Sequence, residues 1–223
     1  MSRPLIITDC DEVLLHMVVP FREWLDESHN IHFDMRDRGF GEALRHKDSG
    51  QPLERALVWE LLLGFFDTQM HRQTPIAGAV EAMGRLSRIA DIVVLTNITE
   101  RHHRQREEQL ATHGLDLPVH WNQGGKGKPL AAIVAERQPS AALFIDDLAE
   151  HHKSVADHAP GVWRLHMVGE PEIAADVAVA PLAHARIDDW VAAEAWIVAR
   201  LAEGPAPEIL ASETFPPIQG ASA

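Results

Sequence analysis

Scarcity narrows the reading first. The 223 residues include one cysteine, Cys10, so no disulfide forms within the chain and a reducing compartment is expected. Positive charge is thin: 20 Lys and Arg stand against 33 Asp and Glu, a net charge of −13. A nucleic-acid polymer needs dense Lys and Arg and is excluded as the main partner. A small phosphorylated metabolite is not excluded, because a bound cation can supply local positive charge. No uninterrupted apolar run reaches the roughly 18 residues of a membrane-spanning helix. The opening "MSRPLIITDCDE" meets acids too early for a signal peptide. Together these absences lead to the expectation of a cytoplasmic protein; whether it is a monomer or a homodimer is left open.

Two phosphate-handling motifs are missing as well. Cys10 is followed by "DEVLLHMVV", with no arginine to cradle phosphate and with flanking acids that raise a thiol pKa, so it reads as a packing residue. In "GGKGKP" the Gly127-Lys128 pair is followed by Pro129 and the earlier glycine position holds Asn122, which fails the Walker pattern.

What is present is a succession of short apolar runs at 5–8, 92–96, 142–145 and 162–168. Continuous apolar runs without alternation suit parallel strands covered on both faces. Helix-like segments separate the later three, with Thr99 as an N-cap, Gly114 as a stop and Pro129 in a first turn. The fold class read from this is α/β: a Rossmann-like parallel sheet core with helices on both faces. The first two strands lie too far apart for one crossover helix. Part of the gap, "PIAGAVEAMGRLSRIA", is that helix; residues 16–73 remain, with "VPFREWLDESHN" and "LERALVWELLLGFFDTQM" helix-like. We read them as a small α-helical cap over the carboxyl ends of the strands, where open α/β sheets bind ligands. The expected division is 1–15 and 74–203 core, 16–73 cap, and 204–223 a poorly ordered tail.

The strand ends carry the chemistry. The first delivers Asp9 and Asp11, the second Thr96 and Asn97, and "ALFIDD" delivers Asp146 and Asp147, with Lys126 and Lys128 between. Carboxylates this close repel unless a cation intervenes, and Mg²⁺ takes carboxylate, water and phosphate oxygens. One acid can then attack phosphorus while a second moves the proton. Thr96, the Asn97 backbone N–H and a lysine can hold the phosphoryl oxygens. The paired histidines of "ERHHRQRE" and "EHHKS" read as solvated helix surface, and Trp59, Phe65 and Phe66 as cap core.

The set "LIITDCDEV", "IVVLTN", "GKGKP" and "ALFIDD" resembles the haloacid dehalogenase-like superfamily of phosphohydrolases, with its motifs in the family's order. The resemblance implies an aspartyl-phosphate on Asp9, with Asp11 as general acid/base whose carbonyl also meets the metal. It implies Thr96 and Lys128, preferred to Lys126, at the phosphate, Asp147 on Mg²⁺, and Asp146 bridging or supporting the metal. His16, Arg22, Trp24 and Arg72 are candidates for substrate contacts from the cap. The implied activity is that of a phosphomonoester phosphatase, with the deoxyribonucleotidase branch and nucleoside monophosphates the first suggestion. The alternatives are a sugar phosphomutase and a non-catalytic phosphoryl-binding protein. Glu12, where many members have glycine, is the conspicuous departure.

Overall fold

In the computed structural model, residues 2–34 and 42–209 are described. The buried run Leu5–Thr8 forms β1, the centre of a six-stranded sheet. Around it stand β4 (Asp91–Thr96), β5 (Val119–Trp121), β6 (Ala142–Asp146), β7 (Trp163–His166) and β8 (Ala185–Arg186), in the order β5-β4-β1-β6-β7-β8. Every pairing is parallel. Because β4 and β6 flank β1, the strand order reverses at the carboxyl end of β1, where crossovers leave to opposite sides and open a crevice.

Helices cover both faces, as continuous apolar strands require. On one face α3 (Ala79–Leu86), α4 (His103–Thr112) and α8 (Trp190–Glu203) bury Met83, Leu110 and Ile197 against Ile6, Val94 and Ile145. On the other, α5 (Gly127–Arg137) and α6 (Ala149–His158) bury Leu130 and Val155 against Ile7, Val93 and Phe144. The expected strands at 5–8 and 92–96 thus stand nearly unchanged. The fourth is shorter than expected, and β5 and β8 were not foreseen: each has only two or three residues, too short for a periodic signal. Strand β8 stands just before α8, which starts after Asp189, whose side chain accepts from Ala192 N.

The insert holds α1 (Val18–His29) and α2 (Arg55–Thr68), as expected, plus an antiparallel hairpin of β2 (Ile31–Phe33) and β3 (Leu44–His46). It has its own core, in which Phe21, Trp24, Leu25, Phe33, Phe65 and Phe66 meet. Phe21 packs edge-on against Phe65 with ring centroids 5.4 Å apart. Trp59 departs from the expected cap core; it is 52% exposed. Of the tail, residues 204–209 are fastened to the core: Trp163 Nε1 donates to Gly204 O, and Ala206 N to Gly161 O. Residues 210–223 lie outside the described residues.

Candidate active site

At the carboxyl end of β1 the chain turns sharply, and Cys10 O accepts from the amides of both Leu14 and Leu15. This turn presents Asp9, buried, with Oδ1 accepting from Cys10 N at 2.7 Å. Burial first, then the neighbouring Asp146 and Asp11 charges, raise its pKa, against the opposing pull of Lys126.

Of the two lysines, Lys126 is the one that reaches Asp9. Its fully buried Nζ lies 2.7 Å from Asp9 Oδ2 and 2.7 Å from Asp146 Oδ2. Burial would lower its pKa, but Asp146 and then Asp9 more than compensate and hold it charged. Lys128, expected at this place, is exposed on α5. The physical reason is helix phase: Lys126 stands at the N-cap of α5, over the sheet edge, and two residues along the chain turns toward solvent. Gly127 permits the placement. A Cβ there would lie 1.9 Å from Ser154 O, so only glycine lets α5 approach α6 this closely.

Asp146, expected to bridge or support the metal, lies with Asp9 and His151 in a group whose ligand atoms are all within 4.8 Å of one another. Its Oδ1 accepts from Leu148 N and His151 Nδ1, both at 2.9 Å, and its Oδ2 accepts from Lys126. Burial opposes ionisation, yet Lys126 and then His151 outweigh it and hold Asp146 below the usual carboxylate range. With its oxygens engaged, Asp146 orients Lys126. Asp147 is the contrast. Its carboxylate accepts no hydrogen bond among the described residues, and burial followed by the charges of Asp146, Asp9 and Glu12 raises its pKa well above normal.

At the end of β4, Thr96 is buried and its hydroxyl has no hydrogen-bond partner, a spare donor of the kind a phosphoryl oxygen uses. The Asn97 side chain is spent on the scaffold: Nδ2 donates to Gly124 O at 2.9 Å and Oδ1 accepts from Asn122 Nδ2 at 2.9 Å. Asp11 is held by Gln73 Nε2 at 2.7 Å and by Arg106 at 2.9 Å. Arg106 also donates to Cys10 Sγ at 3.0 Å, and burial pushes that thiol up to about 12, so Cys10 packs and does not attack.

The cap candidates do not converge on Asp9. Trp24 is buried in the aromatic core of the insert. Arg72 pairs with Glu27, and Arg22 with Glu172. Arg22 borders a cleft of about 300 Å³ with His32, Phe33 and Asp176, which no residue of the Asp9 cluster lines. His16 Nδ1 lies 2.8 Å from Glu170 Oε2.

Other residues were misjudged from sequence. Of the paired histidines, His102, His151 and His152 are buried, not solvated, and so is Arg106, which had no reading. His152 Nε2 donates to Asp146 O and His166 Nε2 to Asp147 O, fixing the backbone of the acid pair. The spacing of His102, Arg106, Gln109 and Leu110 repeats at helical period and marks the inward face of α4. Glu12 is the further surprise. Its φ of 60° is left-handed, which explains glycine at this turn in a related motif. Its Oε1 accepts from Met17 N at 2.7 Å and Val18 N at 2.5 Å, so it caps α1, whose own N-cap residue, Met17, makes no side-chain cap.

No protein-family model matches the chain, and no curated protein matches it. Solved structures do match in shape. A haloacid dehalogenase-like family hydrolase from Xanthomonas campestris has a TM-score of 0.56 at 17% identity, covering 91% of this chain and 97% of the other. The Bacillus subtilis protein YfnB bound to magnesium gives 0.58 at 15%, covering 89% and 100%. An L-2-haloacid dehalogenase gives 0.55 at 12%, covering 88% and 100%. Each aligns over nearly its whole length. The chain therefore has the fold of the haloacid dehalogenase-like superfamily.

Proposed function

We propose that this protein is a Mg²⁺-dependent phosphomonoester phosphatase acting through an aspartyl-phosphate on Asp9. The observation that carries the reading is Lys126, buried between Asp9 and Asp146 at the same sheet edge as the unpartnered Thr96 hydroxyl. A nucleophile, a fixed cation and a free donor are what an incoming phosphoryl group requires. Asp9 attacks phosphorus as the bond to the leaving oxygen breaks, while Lys126 and Thr96 hold phosphoryl oxygens. Asp11 gives the leaving alkoxide a proton, then takes one from the water that hydrolyses the aspartyl-phosphate. Gln73 and Arg106 keep Asp11 positioned beside the reacting centre.

The residues fit a divalent cation. Asp9 and Asp147 are both raised, first by burial and then by neighbouring carboxylates, Asp146 and Asp11 acting on Asp9 and Asp146 and Asp9 on Asp147, and a cation held there removes that cost. Asp9, Asp147 and the Asp11 carbonyl would hold Mg²⁺, which supplies charge neutralisation for the carboxylates and the phosphoryl group. YfnB, of the same fold, binds magnesium. The dehalogenase of this fold raises a second chemistry, but a proton-carrying Asp11 two residues after the nucleophile serves an alkoxide leaving group; halide needs no proton.

Turnover of p-nitrophenyl phosphate in Mg²⁺ tests the proposal. Asp9→Asn is expected to abolish it with the fold retained, and EDTA to remove it reversibly; a variant within a few-fold of wild type sinks the reading. Free phosphate released without a bisphosphate activator distinguishes hydrolysis from a phosphomutase. Nucleoside 5′-monophosphates head the panel for the natural substrate.

A further inference from the structure

A second cluster of ligand atoms lies at the root of the cap, made by residues the reaction above does not use. Glu12 stands on the turn after β1, His16 on the strap entering α1, and Glu170 just before α7 (Pro171–Ala174). One donor atom from each lies within 4.8 Å of the others. Each carboxylate commits one oxygen to backbone amides. Glu12 Oε1 accepts from Met17 N and Val18 N, and Glu170 Oε1 from Glu172 N at 2.9 Å. The second oxygens are left over. Glu12 is 2% exposed, and its Oε2 is buried with no hydrogen-bond partner. His16 Nδ1 approaches Glu170 Oε2 at 2.8 Å, yet the contact lacks hydrogen-bond alignment and Nδ1 is buried without a partner. No lysine or arginine pairs with either glutamate among the described residues.

Two buried carboxylates and an imidazole without a counter-cation are costly as they stand. We infer that Glu12, His16 and Glu170 form a transition-metal site, of the zinc class, that ties the entrance of the cap to the segment after β7. Imidazole nitrogen beside carboxylate oxygen favours Zn²⁺ or Co²⁺ over Mg²⁺. Three protein ligands leave the fourth tetrahedral position to water. Tetrahedral ligands at ordinary Zn²⁺ bond lengths stand about 3.3 Å apart, between the 2.8 Å already reached by His16 and Glu170 and the 4.8 Å outer limit of the cluster. Small side-chain movements suffice. The amides on Glu12 and Glu170 orient those ligands in advance, as outer hydrogen bonds do at metal sites. The three ligands come from both sides of the cap hinge, and the core side is already joined there by Gly169 N donating to Glu12 O at 2.7 Å.

The test is Zn²⁺ uptake by the metal-stripped full chain, measured by titration calorimetry and by thermal shift. An Asp147→Asn background weakens the other acid cluster, so the readout does not depend on turnover. In that background one Zn²⁺ should bind and raise the Tm. Adding His16→Ala, which truncates a partly exposed ring, should weaken uptake by about 100-fold and remove the shift, since even losing a group that only orients a ligand costs on the order of 10- to 100-fold. Glu170→Gln should do the same, whereas His151→Ala should leave uptake intact. The inference is overturned if the Asp147→Asn chain takes up no Zn²⁺, or if His16→Ala binds it as tightly as its parent. It is overturned equally if His151→Ala alone abolishes uptake, because the ion then sits beside Asp9. Phosphatase activity enters none of these outcomes.

Discussion

A buried ammonium survives only where carboxylates and hydrogen bonds replace the water it has lost. Lys126 meets that condition with two partners, and so its removal acts twice. Lys126→Met leaves Asp9 and Asp146 facing each other uncompensated, at a cost of about 3–5 kcal/mol for breaking a buried pair, and takes a cation from the phosphoryl site. Urea denaturation should report the first effect and p-nitrophenyl phosphate turnover the second. Lys128→Ala, at an exposed position, should change stability by no more than about 0.5 kcal/mol and leave turnover within a few-fold. The reverse outcome for the two variants would return the role to Lys128. Nothing in "GGKGKP" separates these lysines by type; only the phase of α5 against the sheet does.

Elements place these residues through close contacts that their sequences only partly advertise. Helix α5 lies against α6 with Gly127 at the crossing, where Gly127 N also donates to Ser154 Oγ at 2.9 Å. Gly127→Ala inserts a methyl group 1.9 Å from Ser154 O, a backbone atom that cannot rotate away. Overpacking of this kind costs about 1–3 kcal/mol. Because Lys126 is the preceding residue, the variant should also lose most of its turnover. A Gly127→Ala protein with wild-type melting temperature and kcat would disprove the tight crossing. In the cap, α1 and α2 were legible from their apolar periodicity, but the hairpin between them was not. Its strands have three residues each, and their pairing depends on a chain reversal that no local pattern encodes. The placement of two cap candidates was hidden for a related reason. Trp24 and Arg72 have suitable chemistry, but one packs inward and the other pairs with Glu27.

Across the whole molecule, several histidines tie distant segments together. His184 packs edge-on against Trp163, accepts from Arg164 N through Nδ1 and donates to Pro207 O, joining the segment after α8 to β7. Burial lowers its pKa to about 4 from 6.5, with a further push from Arg164. A histidine depressed in the folded state takes up protons more readily when unfolded, so its stabilisation is complete above about pH 6.5 and is lost as pH falls toward 4. The full shift corresponds to at most about 3 kcal/mol, less after screening at this partly exposed site. His184→Gln should therefore flatten part of the acid limb of stability. The comparison must be between wild type and variant, because Asp9 and Asp147, raised in the folded state, contribute with the opposite sign. Urea midpoints that differ by the same amount at pH 4 and pH 7 would count against this account.

The sequence by itself determined the central strands, the crossover helices, the presence of an insert and the acids at the strand ends. These depend on local apolar runs, helix caps and side-chain type, all of which the chain carries in short range. Tertiary structure decided which of two lysines reaches Asp9, that Asp146 orients that lysine, and that Arg106 and four histidines turn inward. It also gave Glu12 a task, capping α1 from a left-handed turn. Each of these depends on helix phase and on partners tens of residues distant, and a buried charge declares its purpose only once the opposite charge has been folded against it.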